Sequence, residues 1–236
     1  MLRFRDRTVL VTGVGREGQV GEALAAAFAA EGARLALVDL AADGVARQAE
    51  RLRAAGHDAH PFACDLTDAR QVDALAEQVR AAVGEVDALV CAAGGFAPTG
   101  PLGDDDPAAW QRQLAINLTT AHLATRAALP MLRRRRGAIV YFGSAAVLPG
   151  AAGGGIAAYA AAKSGVLALM RSVAEDERAH GVRANAVAPT SIRTAANVAA
   201  MGEQGGYVSR EEVAAAVLWL CAAESAPITG QAIRLG

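Results

Sequence analysis

Lysine is nearly absent from this chain: of its 23 basic residues only Lys163 is a lysine, and the others are arginine. A lysine is a compact, rotatable point charge where arginine is a rigid fork, so the single lysine is expected to do something arginine cannot. Cysteine is scarce too. Cys64, Cys91 and Cys221 are odd in number, widely spaced and without a CxxC pair, which excludes a disulfide framework and reads as buried thiols in a reducing, cytoplasmic setting. The 4 histidines, His57, His60, His122 and His180, lack the spacing of metal ligands, and no metal is expected. Neither sign of charge is in excess: 23 basic against 24 acidic side chains leave a formal charge of −1. That balance argues against a nucleic-acid or membrane-surface partner. The apolar run near the C-terminus, Val213 to Ala223, is far short of the roughly 20 residues that span a bilayer. The first residues lack the apolar region and cleavage site of a secretory signal and lead directly into Thr8-Val9-Leu10-Val11.

What is present is enough apolar material for a core. A hydrophobic fraction of 53% over 236 residues excludes disorder and fits one α/β domain spanning the chain. Short β-branched or apolar runs alternate with longer helical stretches, the pattern of a parallel sheet covered on both faces. Strands are expected at Thr8–Thr12, Arg34–Asp39, Ala59–Cys64, Val86–Cys91, Ala138–Phe142, Arg183–Val187 and Gln231–Leu235. Helices are expected at Val20–Glu31, Ala42–Ala55, Asp68–Val83, Pro107–Arg135, Ala157–His180 and Arg210–Ala222, with Asp68 and Ser209 as N-caps and Pro107 in a first turn. Seven strands so connected form a doubly wound sheet whose ligand lies beyond the carboxyl ends of the strands, at the switch point.

Several motifs fall at those strand ends. The first strand opens into Thr12-Gly13-Val14-Gly15-Arg16-Glu17-Gly18-Gln19-Val20-Gly21 before a helix, where glycines allow close backbone approach and the helix N-terminus favours a pyrophosphate. Asp39 closes the second strand, where a carboxylate accepts ribose hydroxyls and repels a 2′-phosphate; a helix cap is the plainer reading. Arg16 is a counter-signal for NADP. Asp65, in Cys64-Asp65-Leu66-Thr67, fits either an adenine contact or an Asx turn, and Cys91-Ala92-Ala93-Gly94-Gly95 fits a flat ligand or a tight turn. Tyr159-Ala160-Ala161-Ala162-Lys163 puts a phenol and an ammonium on one helix face. A neighbouring positive charge should lower the phenol from its usual pKa of about 10. Ser144 ends the fifth strand facing the same crevice. Asn117 sits in mid-helix, where asparagine is unfavourable, and so signals a local distortion or a polar contact.

In this order the residues resemble the short-chain dehydrogenase/reductase family, over essentially the whole chain: Thr12-Gly13, Asp39, Asp65, Ala92-Ala93-Gly94, Asn117, Ser144, Tyr159-x-x-x-Lys163 and Asn185-Ala186-Val187-Ala188-Pro189 with Thr194. The resemblance implies a Rossmann-type fold and hydride transfer between a nicotinamide and a carbonyl or alcohol carbon. It makes Tyr159 the general acid/base, with Ser144 polarising the carbonyl, Lys163 on the nicotinamide ribose and Asn117 anchoring a water-linked proton relay. The implied cofactor seat comprises Gly13, Arg16, Gln19, Val20, Gly21, Asp39, Leu40, Asp65, Leu66, Ala92, Ala93, Gly94, Pro189, Ile192 and Thr194, together with Tyr159 and Lys163. Ile192 and Thr194 should meet the carboxamide. NAD(H) is expected over NADP(H), and a homotetramer or homodimer is implied.

The chain departs from that family's pattern in four places. Gly13 to Gly21 is two residues longer than the usual loop, with Gln19 at its middle glycine; enoyl-reductase relatives have a similar loop but a different tyrosine spacing. The interval from Ser144 to Tyr159 is also longer, in Gly153-Gly154-Gly155, and Thr190 stands where a glycine usually follows the proline. Only about 20 residues separate Pro189 from the helix near Arg210, a short substrate lid vaguely similar to that of dihydropteridine reductases. An open or differently closed pocket follows, expected to be lined by Phe96, Leu148, Ile156, Ile192 and Met201. Carbonyl reductase, 3-oxoacyl thioester reductase and pterin reductase are the enzymatic readings, and a catalytically silent NAD-binding sensor is the other class. Trp110 and Trp219 read as packing groups, and Arg133–Arg136 as solvated cations at a helix C-terminus.

Overall fold

The structure is a computed structural model describing residues 2–151 and 153–236. Its strands are short Val-, Leu- and Ala-rich runs with almost no exposed position, as a sheet buried on both faces requires. In chain order they are β1 (Thr8–Thr12), β2 (Arg34–Asp39), β3 (Ala59–Ala63), β4 (Ala88–Cys91), β5 (Ala138–Phe142) and β6 (Arg183–Pro189). The shorter β7 (Ser191–Ile192), β8 (Tyr207–Val208) and β9 (Ala232–Leu235) complete them. Seven form one parallel sheet in the order β3-β2-β1-β4-β5-β6-β9, so the order reverses between β1 and β4. The helices are α1 (Val20–Ala30), α2 (Ala42–Ala54), α3 (Ala69–Val83), α4 (Pro107–Leu114), α5 (Thr120–Arg135), α6 (Ala157–Asp176), α7 (Ala195–Met201) and α8 (Arg210–Cys221). One core packs α1, α2 and α8 on a face of the sheet around Leu24, Phe28, Val45 and Val217. The other packs α3, α5 and α6 on the opposite face around Leu75, Leu132, Val166 and Met170.

Strand and helix positions follow the sequence expectations to within a residue or two, except that the helix expected over Ala157–His180 stops at Asp176 and is followed by a separate 3-10 turn at Arg178–His180; three caps have their physical cause in view. The Asp68 carboxylate accepts from Arg70 and Gln71 amides, Pro107 opens α4, and Ser209 and Glu212 close a reciprocal capping box on α8. Two further expectations need correction. The helix expected over Pro107–Arg135 is interrupted by a π-helical turn at Ala115–Thr119, where one extra residue is accommodated and the Thr120 hydroxyl donates to the Ile116 carbonyl. The segment after Pro189 holds a two-stranded ribbon, β7 with β8, around the seven-residue α7. Strands of two residues have no periodicity to read.

The arginine run stands exposed at the C-terminal end of α5, as expected. Three of its four guanidiniums also pair with carboxylates: Arg133 donates to the buried Glu177, Arg134 to Glu85 and Arg135 to the buried Asp87. All three cysteines are free and buried, and desolvation pushes their thiols up to between about 11 and about 12. Among the described residues, no helix is long and apolar enough to cross a membrane, and no group of three His, Cys, Asp or Glu could hold a metal.

Candidate active site

The carboxyl ends of β4, β5 and β6 converge on a cavity of about 140 Å³. Its wall includes Ala92 and Gly94 after β4, Asn117 on the π turn, Phe142 and Gly143 at the end of β5, Tyr159 and Lys163 on α6, and Pro189 and Ile192. Residues far apart in sequence therefore meet at the switch point, where an α/β sheet opens a crevice.

Each polar group there is held by the local fold. The Asn117 carboxamide is bonded both ways to the main chain of Gly95, accepting from its amide at 3.2 Å and donating to its carbonyl at 3.0 Å. Its Nδ2 also donates to the carbonyl of Gln113, and the buried Gln113 side chain sits 3.3 Å away. The mid-helix asparagine thus marks both a distortion and a polar contact. Ser144, just past the end of β5, accepts from the Ala146 amide at 3.2 Å; contrary to expectation it does not itself line the cavity, though its hydroxyl lies close enough to influence the Tyr159 phenol. Phe96 packs edge-on against the Tyr159 ring, centroids 5.0 Å apart.

The electrostatics of the pair run against the sequence expectation. The Tyr159 phenol is raised above its ordinary pKa, because burial penalises phenolate more than the neighbouring Ser144 hydroxyl favours it. Lys163 is fully buried; its ammonium donates to the Phe142 carbonyl at 2.8 Å and lies 5.8 Å from the Tyr159 ring centre. Desolvation brings it down to about 8. The lysine is directed at a carbonyl, and the tyrosine feels its own burial first.

The glycine loop is built by close approach. A Cβ on Gly13 would stand 2.7 Å from the Ala93 amide nitrogen, and one on Gly21 would stand 2.1 Å from the Gly13 carbonyl oxygen. Asp39 accepts from the Gly15 amide at 2.8 Å and the Ala41 amide at 3.0 Å, so it is both a loop anchor and a turn cap. Gly44 backs this arrangement, since a Cβ there would lie 2.2 Å from the Gly15 oxygen. A lone glycine in the first turn of α2, where helix propensity disfavours it, was the sequence signal for that contact. Asp65 holds an Asx turn through Thr67, Leu66 is buried below it, and Leu40 stands exposed beside Asp39. Arg16 is exposed, while Gln19 and Val20 are half-buried at the start of α1.

Several expected residues are placed differently. Thr194 does not line the cavity; its hydroxyl caps α7 by accepting from Asn197 at 3.1 Å, which leaves its own hydrogen to donate. Of the five expected pocket residues, Phe96 and Ile192 reach the cavity, and Leu148, Ile156 and Met201 do not. Leu148 packs on the core, Ile156 lies under Gly153, and Met201 is exposed with its sulfur against the Ser191 hydroxyl. Asn197 takes a place on the wall instead, with its Nδ2 donating to the Ile192 carbonyl at 2.8 Å. The short lid is closed by its own ribbon: the Tyr207 hydroxyl donates to the Gly202 carbonyl, and Arg193 pairs with Glu203.

A cradle that admits no Cβ, beside a buried tyrosine–lysine pair, fits a nicotinamide dinucleotide and defines a class of oxidoreductase. Residues 13–235 match the family model described as enoyl-(acyl carrier protein) reductase. Among curated proteins, 2-(S)-hydroxypropyl-CoM dehydrogenase 3 of Xanthobacter autotrophicus is 35% identical, over 99% of this chain and 96% of its own length. Among solved structures, a gluconate 5-dehydrogenase from Burkholderia cenocepacia in complex with NADP and tartrate superposes with a TM-score of 0.91 at 28% identity, covering 99% of this chain and 95% of that one. A 3-oxoacyl-[acyl-carrier protein] reductase from Brucella melitensis with bound NAD gives 0.88 at 30% identity, covering 99% and 90%. The chain belongs to the short-chain dehydrogenase/reductase family, and is an oxidoreductase that moves a hydride between a nicotinamide coenzyme and a carbonyl or secondary-alcohol substrate.

Proposed function

We propose that this enzyme interconverts a ketone and a secondary alcohol on a small or medium, largely uncharged substrate, with NAD(H) preferred over NADP(H) and Tyr159 as general acid/base. The observation that carries the reading is one cavity walled by Asn117, Tyr159 and Lys163, with Ser144 directly following its Gly143 wall. Gly13, Gln19, Val20 and Gly21 would hold the pyrophosphate, Asp39 and Leu40 the adenosine ribose and ring edge, and Asp65 and Leu66 the adenine. Ala92, Ala93, Gly94, Pro189, Ile192 and Thr194 would hold the nicotinamide half. The bound nicotinamide supplies or accepts the hydride. In reduction the Tyr159 hydroxyl donates its proton to the carbonyl oxygen, Ser144 donates a hydrogen bond to the same oxygen, and the Lys163 ammonium offers its donors to ribose hydroxyls. Asp39 supports NAD(H): with two of its lone pairs on backbone amides, the rest remain for ribose hydroxyls, and its charge opposes a 2′-phosphate. Phe96 and Ile192 on the wall support an apolar substrate. A single catalytic domain, assembled as a homodimer or homotetramer in the cytoplasm, completes the proposal.

The test is oxidation of NADH and NADPH by the purified protein against diketones, 3-oxoacyl thioesters, quinones, cyclic ketones and a quinonoid dihydropterin. Tyr159→Phe should cost roughly 10²- to 10⁴-fold in turnover while leaving coenzyme affinity in place. Because the phenol is raised, reduction should hold through neutral pH and fall as pH climbs through the Tyr159 pKa, with oxidation rising over the same range. Turnover unchanged in Tyr159→Phe would remove the tyrosine from the chemistry.

A further inference from the structure

Glu22 lies in the first turn of α1 with its side chain 16% exposed, and its carboxylate is fully engaged. Oε2 accepts from the Gly18 amide at 2.8 Å and from Arg210 at 3.2 Å, while Oε1 accepts from Arg51 at 2.9 Å. One side chain thus joins the glycine loop, α1, α2 and the start of α8. Gly18 carries the connection further. Its carbonyl accepts from the Ala195 amide, the first residue of α7, at 3.1 Å, and a Cβ on Gly18 would stand 3.1 Å from the Ala195 Cβ. Its φ of +72° is itself a glycine conformation.

Gly18 falls in the glycine loop that is two residues longer than usual, and Ala195 falls in the lid that is shorter than usual. The two departures touch each other. The electrostatics also need an account: a carboxylate near a helix N-terminus suits the dipole, but it opposes a pyrophosphate bound at the same end. The two guanidiniums beside Glu22 offset that charge, so the carboxylate can hold the loop without repelling the ligand.

We propose that Glu22 is a positioning residue that fixes the long glycine loop against the lid helix, so that the coenzyme seat and the substrate lid hold each other in place. The proposal rests on the coenzyme reading above for its consequence, and on Glu22, Gly18 and Ala195 for its geometry. Loosening the loop at Glu22 releases α7, and ordering the loop around a dinucleotide steadies it.

Hydrogen–deuterium exchange of residues 195–201 tests this in the wild type, Glu22→Ala and the isosteric Glu22→Gln, each free and with saturating NADH. NADH affinity is measured separately by fluorescence. In the wild type NADH should slow exchange in 195–201 about tenfold. In both variants, saturated with NADH, that segment should exchange at least fivefold faster than in the wild-type complex, while β4 amides stay unchanged. The same lid exchange in the variants as in the wild type, or a loss confined to NADH affinity, overturns the proposal. A wild type that binds no NADH overturns the coenzyme reading instead, and the exchange of the free variants then decides the tie by itself.

Discussion

At the scale of single residues, burial of the Lys163 ammonium carries a local cost. Its ammonium is fully buried with one carbonyl partner, and a pKa of about 8 against 10.5 corresponds to a penalty on the order of 3 kcal/mol for the charged form. The sign follows from proton binding. Below about pH 8 the lysine is charged folded and unfolded, so the penalty stands in full; between 8 and 10.5 the unfolded chain holds more protons, so this group makes stability rise with pH. Because the chain has one lysine, 15Nζ-lysine labelling yields a single side-chain signal, expected to titrate near pH 8. A midpoint above 10 would mean a solvated ammonium. Lys163→Met should melt at or above the wild-type temperature at pH 7 while losing turnover, and a drop of many degrees would contradict a burial penalty. Stability was given up here for a charge in the cavity.

Elements meet through a few charged contacts that are more than surface decoration. The last turn of α5 reaches the end of α6 through Arg133 and the buried Glu177, a two-point contact at 2.6 and 2.8 Å that holds the carboxyl below its usual range. Removing the cation leaves a buried carboxylate alone, which costs more than an exposed pair contributes. Arg133→Met should therefore lose about 2 kcal/mol of stability at pH 7. The Glu177 carboxyl is depressed when folded, so this contribution exists above the unfolded carboxyl pKa and fades as pH falls through the folded one. Urea unfolding at pH 7 and pH 3 checks it: a deficit that persists undiminished at pH 3 would point to lost packing of the arginine stem. The π turn between α4 and α5 is the other working junction, since its extra residue swings Asn117 onto the Gly95 main chain.

For the whole molecule, the proposed coenzyme seat would draw on both halves of the sheet and on both sides of the switch point. A ligand bound there favours the folded state by mass action, about 2.7 kcal/mol at 100 times its Kd. For a chain of this size that is a rise of about 5–10 °C in melting temperature. NADH should give the larger rise and NADPH, at equal concentration, the smaller, because the Asp39 carboxylate faces the loop where a 2′-phosphate would lie. Equal shifts would set the charge of Arg16 against that of Asp39. Light scattering on the same samples reads the proposed dimer or tetramer.

Most of the fold was legible because its causes are local. Buried parallel strands must be apolar runs, α-helices must repeat their apolar face and declare their caps at Asp68, Pro107 and Ser209, and a tyrosine four residues before a lysine must share its face. What stayed illegible depends on contacts between distant segments. Leu148, Ile156 and Met201 look like pocket residues by composition, yet core packing and lid folding turn them elsewhere. Thr194 caps α7, Lys163 is aimed at the Phe142 carbonyl, and the Tyr159 phenol is raised because each is set by neighbours many residues away. By itself the sequence determined the parallel sheet, the glycine turn and the Tyr159–Lys163 pair, all encoded within a few residues of one another. Only the tertiary structure decided how the lid closes and which carboxylate ties it to the loop, because Glu22, Gly18, Ala195 and Arg210 become neighbours only when the chain has folded.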